Sequence, residues 1–128
     1  MSIGIKATVR RLPSAARRMP FDAMVKKVLG KNYDLSLVIC GDALVRAINK
    51  KYRRKTYAAN VLSFPLDKNE GEIFLNVRAA QREAKKCGIS TRERLALLFV
   101  HGLFHLKGWK HGDNMEGEER KVLKNFGF

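Results

Sequence analysis

Histidine and cysteine are scarce in this chain. Of its 128 residues, three are histidine and two are cysteine, and Cys40 and Cys87 form no CxxC or metal-spaced pair. We therefore expect a reduced, cytoplasmic protein with two buried thiols, and a disulfide or redox role has little support. No apolar run reaches the length that spans a bilayer. The N-terminus lacks the apolar h-region and the small-residue cleavage site of a signal peptide.

Repeats, low-complexity tracts and Pro/Gly/Ser linkers are also missing, so we expect residues 1–128 to form one domain. Hydrophobic residues make up 45% of the chain and charged residues 30%, as in soluble globular proteins. The Arg-rich start leaves a transit peptide open as an alternative. The stretch SIGIKATV, residues 2–9, is more typical of a first strand.

Acidic residues are few, with 12 Asp and Glu against 26 Lys and Arg and a net charge of +14. Residues 1–60 hold 14 of the basic residues but only 3 of the acidic ones. A positive field of this kind attracts polyanions, of which nucleic acid is the commonest. An anionic membrane is the rival partner, although no apolar face with anchoring aromatics is present. A merely solvated basic surface is the third alternative.

The apolar pattern predicts alternating strands and helices, in an α+β fold with a mixed sheet of about four strands packed with helices. After the first strand, further strands are predicted at 33–40, 61–66 and 71–76, the last two as an antiparallel hairpin. Residues 52–60 are predicted to form a basic loop. The first helix is predicted at 21–29. The second follows an Asp42 N-cap, and Tyr52 is the last residue of its apolar face. The third runs from the Asn76 cap to Gly88 with Cys87 on its apolar face, the fourth from a capping box at 90–93 through 106, and the fifth begins near 114.

All three histidines lie in HGLFHLKGWKH, residues 101–111. His101 and His105 are four residues apart, which places both imidazoles on one helix face, and Gly108 lets the chain turn back with His111. The pattern HxxxHxxGxxH is the ligand spacing of metzincin zinc enzymes. Three neutral histidines leave a tetrahedral zinc one open position, as in catalytic sites. We therefore predict one Zn²⁺ per chain at these three histidines; Asp113 is a possible fourth ligand, although a capping box with Glu116 suits it better.

Gly102 stands where HExxH proteases carry their glutamate general base, so a metallopeptidase is disfavoured. A mid-helix glycine costs about 1 kcal/mol relative to alanine. Three explanations for this glycine stay open: close packing of a neighbouring segment, room for substrate over the metal, or a residue choice without functional consequence. Phosphodiester cleavage needs a nucleophile and positive charge more than a side-chain base, and RNA carries its own nucleophile, the 2′-OH. The basic segment KKYRRK, residues 50–55, can supply the charge.

Four segments carry a resemblance to a known family: HGLFHLKGWKH, INKKYRRK, NVLSFPL and GEIFLN. They are similar to the H-G-x-L-H-L-x-G-Y-D-H signature, the L-N-x-x-Y-R-x-K segment, T-[DN]-V-L-S-F-P and the G-D-[IV] strand of the YbeY family. This is a family of bacterial rRNA maturation endoribonucleases that carry zinc, and the matches run from about residue 48 to 111. The resemblance implies a metzincin-like α+β fold, zinc at the three histidines, and a role in rRNA processing, ribosome maturation and quality control.

The resemblance also implies roles for the basic segment. Arg53 aligns with the family's functional arginine and is expected to stabilise charge on the phosphate. The implied partners are RNA, in the form of rRNA precursors, and the ribosome or ribosomal proteins, whereas oligomeric state stays open. The residues expected to assist RNA binding are Lys50, Lys51, Arg54 and Lys55.

Five residues depart from the family pattern. Phe104 stands where the family has Leu, Trp109 where it has Tyr, and Ala59 where it has Thr. Lys110 and Glu72 each stand where it has Asp. Lys110 lies beside the third predicted ligand, where a cation is expected to weaken metal binding. The leading hypothesis is a metal-dependent endoribonuclease that prefers single-stranded RNA. One alternative is a non-catalytic RNA-binding factor in ribosome assembly, whose zinc is structural. The other is a metallopeptidase-like hydrolase, which Gly102 and the net charge disfavour.

Overall fold

The computed structural model of this chain describes residues 3–9, 13–110 and 114–128. Within these ranges, four strands and five α-helices confirm the predicted α+β class. The strands are β1 (Ile3–Ala7), β2 (Asp34–Cys40), β3 (Val61–Asp67) and β4 (Glu70–Asn76). The helices are α1 (Phe21–Leu29), α2 (Asp42–Arg53), α3 (Val77–Cys87), α4 (Thr91–Leu106) and α5 (Met115–Asn125).

The four strands form one mixed sheet in the order β1-β2-β4-β3. β2 pairs in parallel with both β1 and β4. β3 and β4 pair antiparallel, with Leu62 opposite Phe74, which confirms the predicted hairpin. Pro65 lies on β3 at the edge of the sheet, where a missing N–H leaves no ladder bond unmade.

Both faces of the sheet are covered. Alternate residues of β2 point to opposite faces: Leu37 and Ile39 join the larger core with the helices α1, α4 and α5, whereas Val38 and Cys40 join a smaller core with α2. This double burial explains why β2 is almost continuously apolar instead of alternating.

Helix α4 lies at the centre of the larger core. The Ser90 side chain caps it by accepting a hydrogen bond from the Glu93 backbone N–H at 3.1 Å. The helix contacts α1, α3, α5, β3 and β4, and its Phe99 is fully buried with its ring 4.8 Å from that of Phe21. The prediction of a central buried helix is confirmed.

Four local predictions were wrong. Cys40 is buried but Cys87 is exposed, because Cys87 is the last residue of α3. Tyr52 is 61% exposed, since it lies at the end of α2, where its ring meets Phe64 edge-on at 5.8 Å. Helix α2 runs to Arg53, so the basic loop begins later than expected. Asp42 is the first helical residue and not the N-cap, which is Gly41.

Candidate active site

The two histidines of α4 face each other. His101 Nε2 and His105 Nε2 lie 3.0 Å apart, and the two rings are nearly perpendicular at 87°. Both side chains are partly exposed on a helix that is otherwise buried on most sides. The spacing of four residues therefore places the imidazoles on one face, as predicted. His111, the third predicted ligand, and Asp113 lie outside the described residues.

The outer nitrogen of each imidazole faces an oxygen. His101 Nδ1 lies 2.6 Å from Glu119 Oε2, and His105 Nδ1 lies 3.2 Å from the Trp109 carbonyl oxygen. A carboxylate and a carbonyl only accept hydrogen bonds, so each contact favours the tautomer with the proton on Nδ1. In that tautomer the two Nε2 lone pairs face each other across 3.0 Å.

This donor set fits a metal ion. Zinc binds histidine nitrogen at about 2.0–2.1 Å, so two tetrahedral ligands lie about 3.3 Å apart, close to the Nε2 separation in this chain. Histidine ligands almost always donate their other N–H to a carboxylate or carbonyl oxygen. Within residues 3–9, 13–110 and 114–128, however, no three His, Cys, Asp or Glu side chains cluster for a metal. The third ligand remains a prediction.

The end of α4 positions the Trp109 carbonyl. Gly108 adopts a φ of 101°, a left-handed conformation that glycine takes at little cost. The backbone N–H of Gly108 then donates to the His105 carbonyl, and that of Trp109 to the Phe104 carbonyl, both at 3.0 Å. The predicted termination at Gly108 is confirmed. The Trp109 ring packs on Phe104 with centroids 5.4 Å apart, while the Trp109 carbonyl oxygen contacts His105 Nδ1.

At Gly102, α4 packs closely against β3 and β4. A Cβ atom at this position would lie 2.9 Å from Ser63 Oγ, 3.2 Å from Ile73 Cδ1 and 3.3 Å from Val61 Cγ2. Ser63 Oγ also donates to the Gly102 carbonyl at 3.1 Å. Of the explanations for this glycine, close packing of a neighbouring segment is therefore the one with structural support.

Arg53 and the histidine pair share a cleft. It has a volume of about 760 Å³ and lies between the end of α2, the edge strand β3 and α4. A second cleft of about 660 Å³ lies on the α5 side of His101. The first is lined by residues that include Arg53, Tyr57, Asn60, Ser63, Glu83, His101 and His105; the second by residues that include Asn60, Arg94, Leu97, His101, Met115, Glu119 and Arg120.

Asn49 holds the segment that follows Arg53. Its side chain is fully buried, and its Nδ2 donates to the Tyr57 carbonyl at 3.0 Å. Its backbone carbonyl accepts from the N–H groups of Arg54 and Lys55. Arg54 takes a left-handed φ of 56°, which ends α2 and turns the chain. These bonds hold Tyr57 on the wall of the cleft that Arg53 also lines.

Comparison with known proteins identifies the family of this chain. The family model described as Endoribonuclease YbeY matches residues 6–127. The chain belongs to the YbeY family. Endoribonuclease YbeY of Helicobacter pylori is 39% identical over 101 residues, which cover 76% of this chain and 71% of that protein. Endoribonuclease YbeY of Xylella fastidiosa is 34% identical over an alignment that covers 99% of this chain and 88% of that protein.

A solved structure shows the same fold. The solution structure of TM1509 from Thermotoga maritima superposes with a TM-score of 0.67 at 20% identity, covering 96% of this chain and 87% of that one. Membership of the YbeY family supports an endoribonuclease role for this chain.

The basic residues predicted to assist RNA binding lie outside the histidine cleft. All are exposed, at the end of α2 and just after it, and none is among the described residues that line either cleft. Lys51 Nζ lies over the Tyr52 ring, 5.2 Å from its centroid. In this YbeY-family chain Arg53 is therefore set apart from its basic neighbours, which are Lys50, Lys51, Arg54 and Lys55.

A polar network around the buried side chain of Asn76 adjoins another part of the cleft wall. The Asp42 carboxylate accepts two hydrogen bonds from Arg82, both of 2.8 Å, and one of 2.9 Å from Asn76 Nδ2. The Arg82 and then the Asn76 hydrogen bonds lower the pKa of Asp42 to about 2. Asn76 also donates from Nδ2 to the Ala59 carbonyl and from its backbone to the Asn60 carbonyl, which fixes the entry to β3.

Glu119 is a site residue that sequence reasoning missed. The signal that identifies it is the spacing, since Met115, Glu119, Val122 and Leu123 form a buried stripe at helical periodicity. Glu119 is the one charged member of that stripe, and a buried carboxylate requires a partner.

Proposed function

We propose that this chain is a metal-dependent endoribonuclease that cleaves single-stranded regions of rRNA precursors in the cytoplasm, during ribosome maturation and quality control. One observation carries the proposal: two imidazoles with converging Nε2 atoms share a cleft with Arg53. His101, His105 and His111 would hold one Zn²⁺. When bound, the ion supplies Lewis acidity for a phosphate oxygen or a water molecule.

Arg53 acts on the phosphate. A guanidinium presents several N–H donors in a planar fork that matches two phosphate oxygens. Because cleavage of a phosphodiester concentrates negative charge on those oxygens, a cation that lines the cleft stabilises the transition state more than the ground state. The hydrogen bonds of Asn49 hold the loop that follows Arg53.

The strand of RNA has room on both sides of the reacting phosphate, because the two clefts meet at Asn60 and His101. Tyr57 is 55% exposed on the wall of the first cleft, where a base can stack on its ring. An unpaired strand suits this path, since its bases are free to turn toward side chains. The surrounding positive charge adds affinity that does not depend on sequence.

Gly102 favours phosphodiester over peptide as the substrate. A glutamate at this position would have to displace Ser63, which is hydrogen-bonded to the Gly102 carbonyl. The peptidase general base is therefore missing from its usual place. The 2′-OH of RNA offers a nucleophile that the substrate itself supplies.

The test is cleavage of labelled single-stranded rRNA fragments by the purified chain, with metal content measured in the same preparation. We expect a chelator to abolish cleavage and added Zn²⁺ to restore it. Robust cleavage in the presence of the chelator would contradict the proposal. His105→Ala separates the alternative role in assembly: loss of cleavage by a folded variant supports catalysis, whereas unfolding points to a structural metal.

A further inference from the structure

Glu119 is a buried carboxylate whose position in the fold calls for an explanation. Its side chain is 7% exposed, on the apolar stripe by which α5 packs. Burying a carboxylate is strongly unfavourable unless a partner compensates. Within residues 3–9, 13–110 and 114–128 it makes no ion pair with lysine or arginine. Its partner in these ranges is His101 Nδ1, at 2.6 Å.

The contact determines how His101 presents itself. A carboxylate at Nδ1 keeps the proton on that nitrogen and leaves the Nε2 lone pair directed at His105 Nε2. His105 has a weaker arrangement of the same kind, in which the neutral Trp109 carbonyl lies 3.2 Å away. Charge-assisted bonds are shorter and about twice as strong as neutral ones, so His101 is the more firmly oriented of the two.

The two partners come from different parts of the chain. The Trp109 carbonyl belongs to the turn that directly follows α4, whereas Glu119 belongs to α5, a separate helix that packs on α4. The orientation of His101 therefore depends on docking of the C-terminal helix.

We propose that Glu119 is a positioning residue, which holds His101 in the Nδ1–H tautomer with Nε2 turned toward the metal and so makes metal affinity depend on the docking of α5. This rests on the metal site of the proposed function. Removal of such a carboxylate partner typically lowers metal affinity 10–100-fold.

The first measurement uses the unchanged chain without metal. Two-bond ¹⁵N–¹H spectra of the imidazoles in alkaline buffer report which nitrogen carries the proton. We expect His101 to be protonated on Nδ1. A His101 protonated on Nε2 would overturn the proposal, and this readout requires no variant to fold.

The second measurement compares Zn²⁺ affinity by chelator competition in Glu119→Gln and in Glu118→Gln, without RNA. Glu118 is the matched control, because it lies on the same helix and pairs with Lys121 at 3.3 Å. We expect Glu119→Gln to bind Zn²⁺ about 10–100-fold more weakly and Glu118→Gln to bind normally. Normal Zn²⁺ binding by Glu119→Gln would overturn the role of Glu119 but not the metal site. Absence of Zn²⁺ binding by the unchanged chain would overturn both.

Discussion

His101 and His105 meet through their Nε2 atoms at 3.0 Å, while the Nδ1 atom of each faces an oxygen acceptor. Chance packing of two imidazoles does not favour a contact between the Nε2 atoms of both rings. The arrangement combines a helical spacing of four, a turn at Gly108 and a carboxylate from α5. Each of these contributions can be changed separately.

Replacing Arg53 tests the charge on the cleft wall. We expect Arg53→Ala to lower kcat about 10²–10³-fold, the usual cost of removing one donor to developing negative charge, with Zn²⁺ content unchanged. Arg53→Lys should retain only part of the kcat of the unchanged chain, because an ammonium lacks the planar fork of a guanidinium. Arg54→Ala is the matched control, since Arg54 does not line the cleft, and an equal loss in that variant would contradict the assignment.

The salt dependence of RNA binding tests the exposed basic residues. For single-stranded RNA the slope of log K against log salt becomes shallower by about 0.7 for each phosphate that the protein no longer neutralises. We therefore expect Arg54→Ala/Lys55→Ala to flatten the slope by about 1.4. Lys85→Ala/Lys86→Ala, at the exposed end of α3, removes the same charge from another surface and should leave the slope nearly unchanged.

Gly102→Ala tests the close approach of α4 to β3. Alanine improves helix propensity by about 1 kcal/mol, but its Cβ meets Ser63 Oγ at 2.9 Å, and overpacking costs about 1–3 kcal/mol. We expect a net loss of about 1 kcal/mol in the free energy of unfolding, measured with urea. Adding Ser63→Ala should restore part of it. Equal losses in the single and double variants would show that Ser63 is not the obstacle.

Asp42→Asn tests the network that anchors the entry to β3. Because folding lowers the pKa of Asp42 to about 2, its contribution is present above the unfolded pKa of about 3.9 and is lost as the pH falls toward 2. After allowance for solvent screening at a side chain one-third exposed, we expect the variant to lose about 1 kcal/mol of stability at neutral pH. The deficit should shrink between about pH 4 and 2.

The control for this pH dependence is Asp22→Asn. Asp22 pairs with Lys26 at 3.3 Å on the exposed surface of α1, and exposed pairs of this kind contribute little. Urea unfolding at a series of pH values measures both variants. A deficit in Asp42→Asn that stays constant down to pH 2 would contradict the role of the ionised carboxylate.

Much of the fold followed from local pattern. The hairpin of β3 and β4, the buried helix α4 and its capping by Ser90 each depend on residues close together in the chain, so short-range rules predict them. The same rules failed for Cys87 and Tyr52, which have the periodicity of a buried face but lie at helix ends. Whether such a residue is covered depends on how far the neighbouring element extends.

By itself the sequence determined which face of α4 carries the histidines, because helical periodicity follows from backbone geometry alone, and it singled out Arg53 through motif resemblance. Only the tertiary structure decided that Glu119 of α5 would contact His101, that Gly102 would meet Ser63, and that Arg53 would share a cleft with the histidines. These relationships join residues between 18 and 52 positions apart. They depend on how helices and strands pack, and no local pattern encodes that packing.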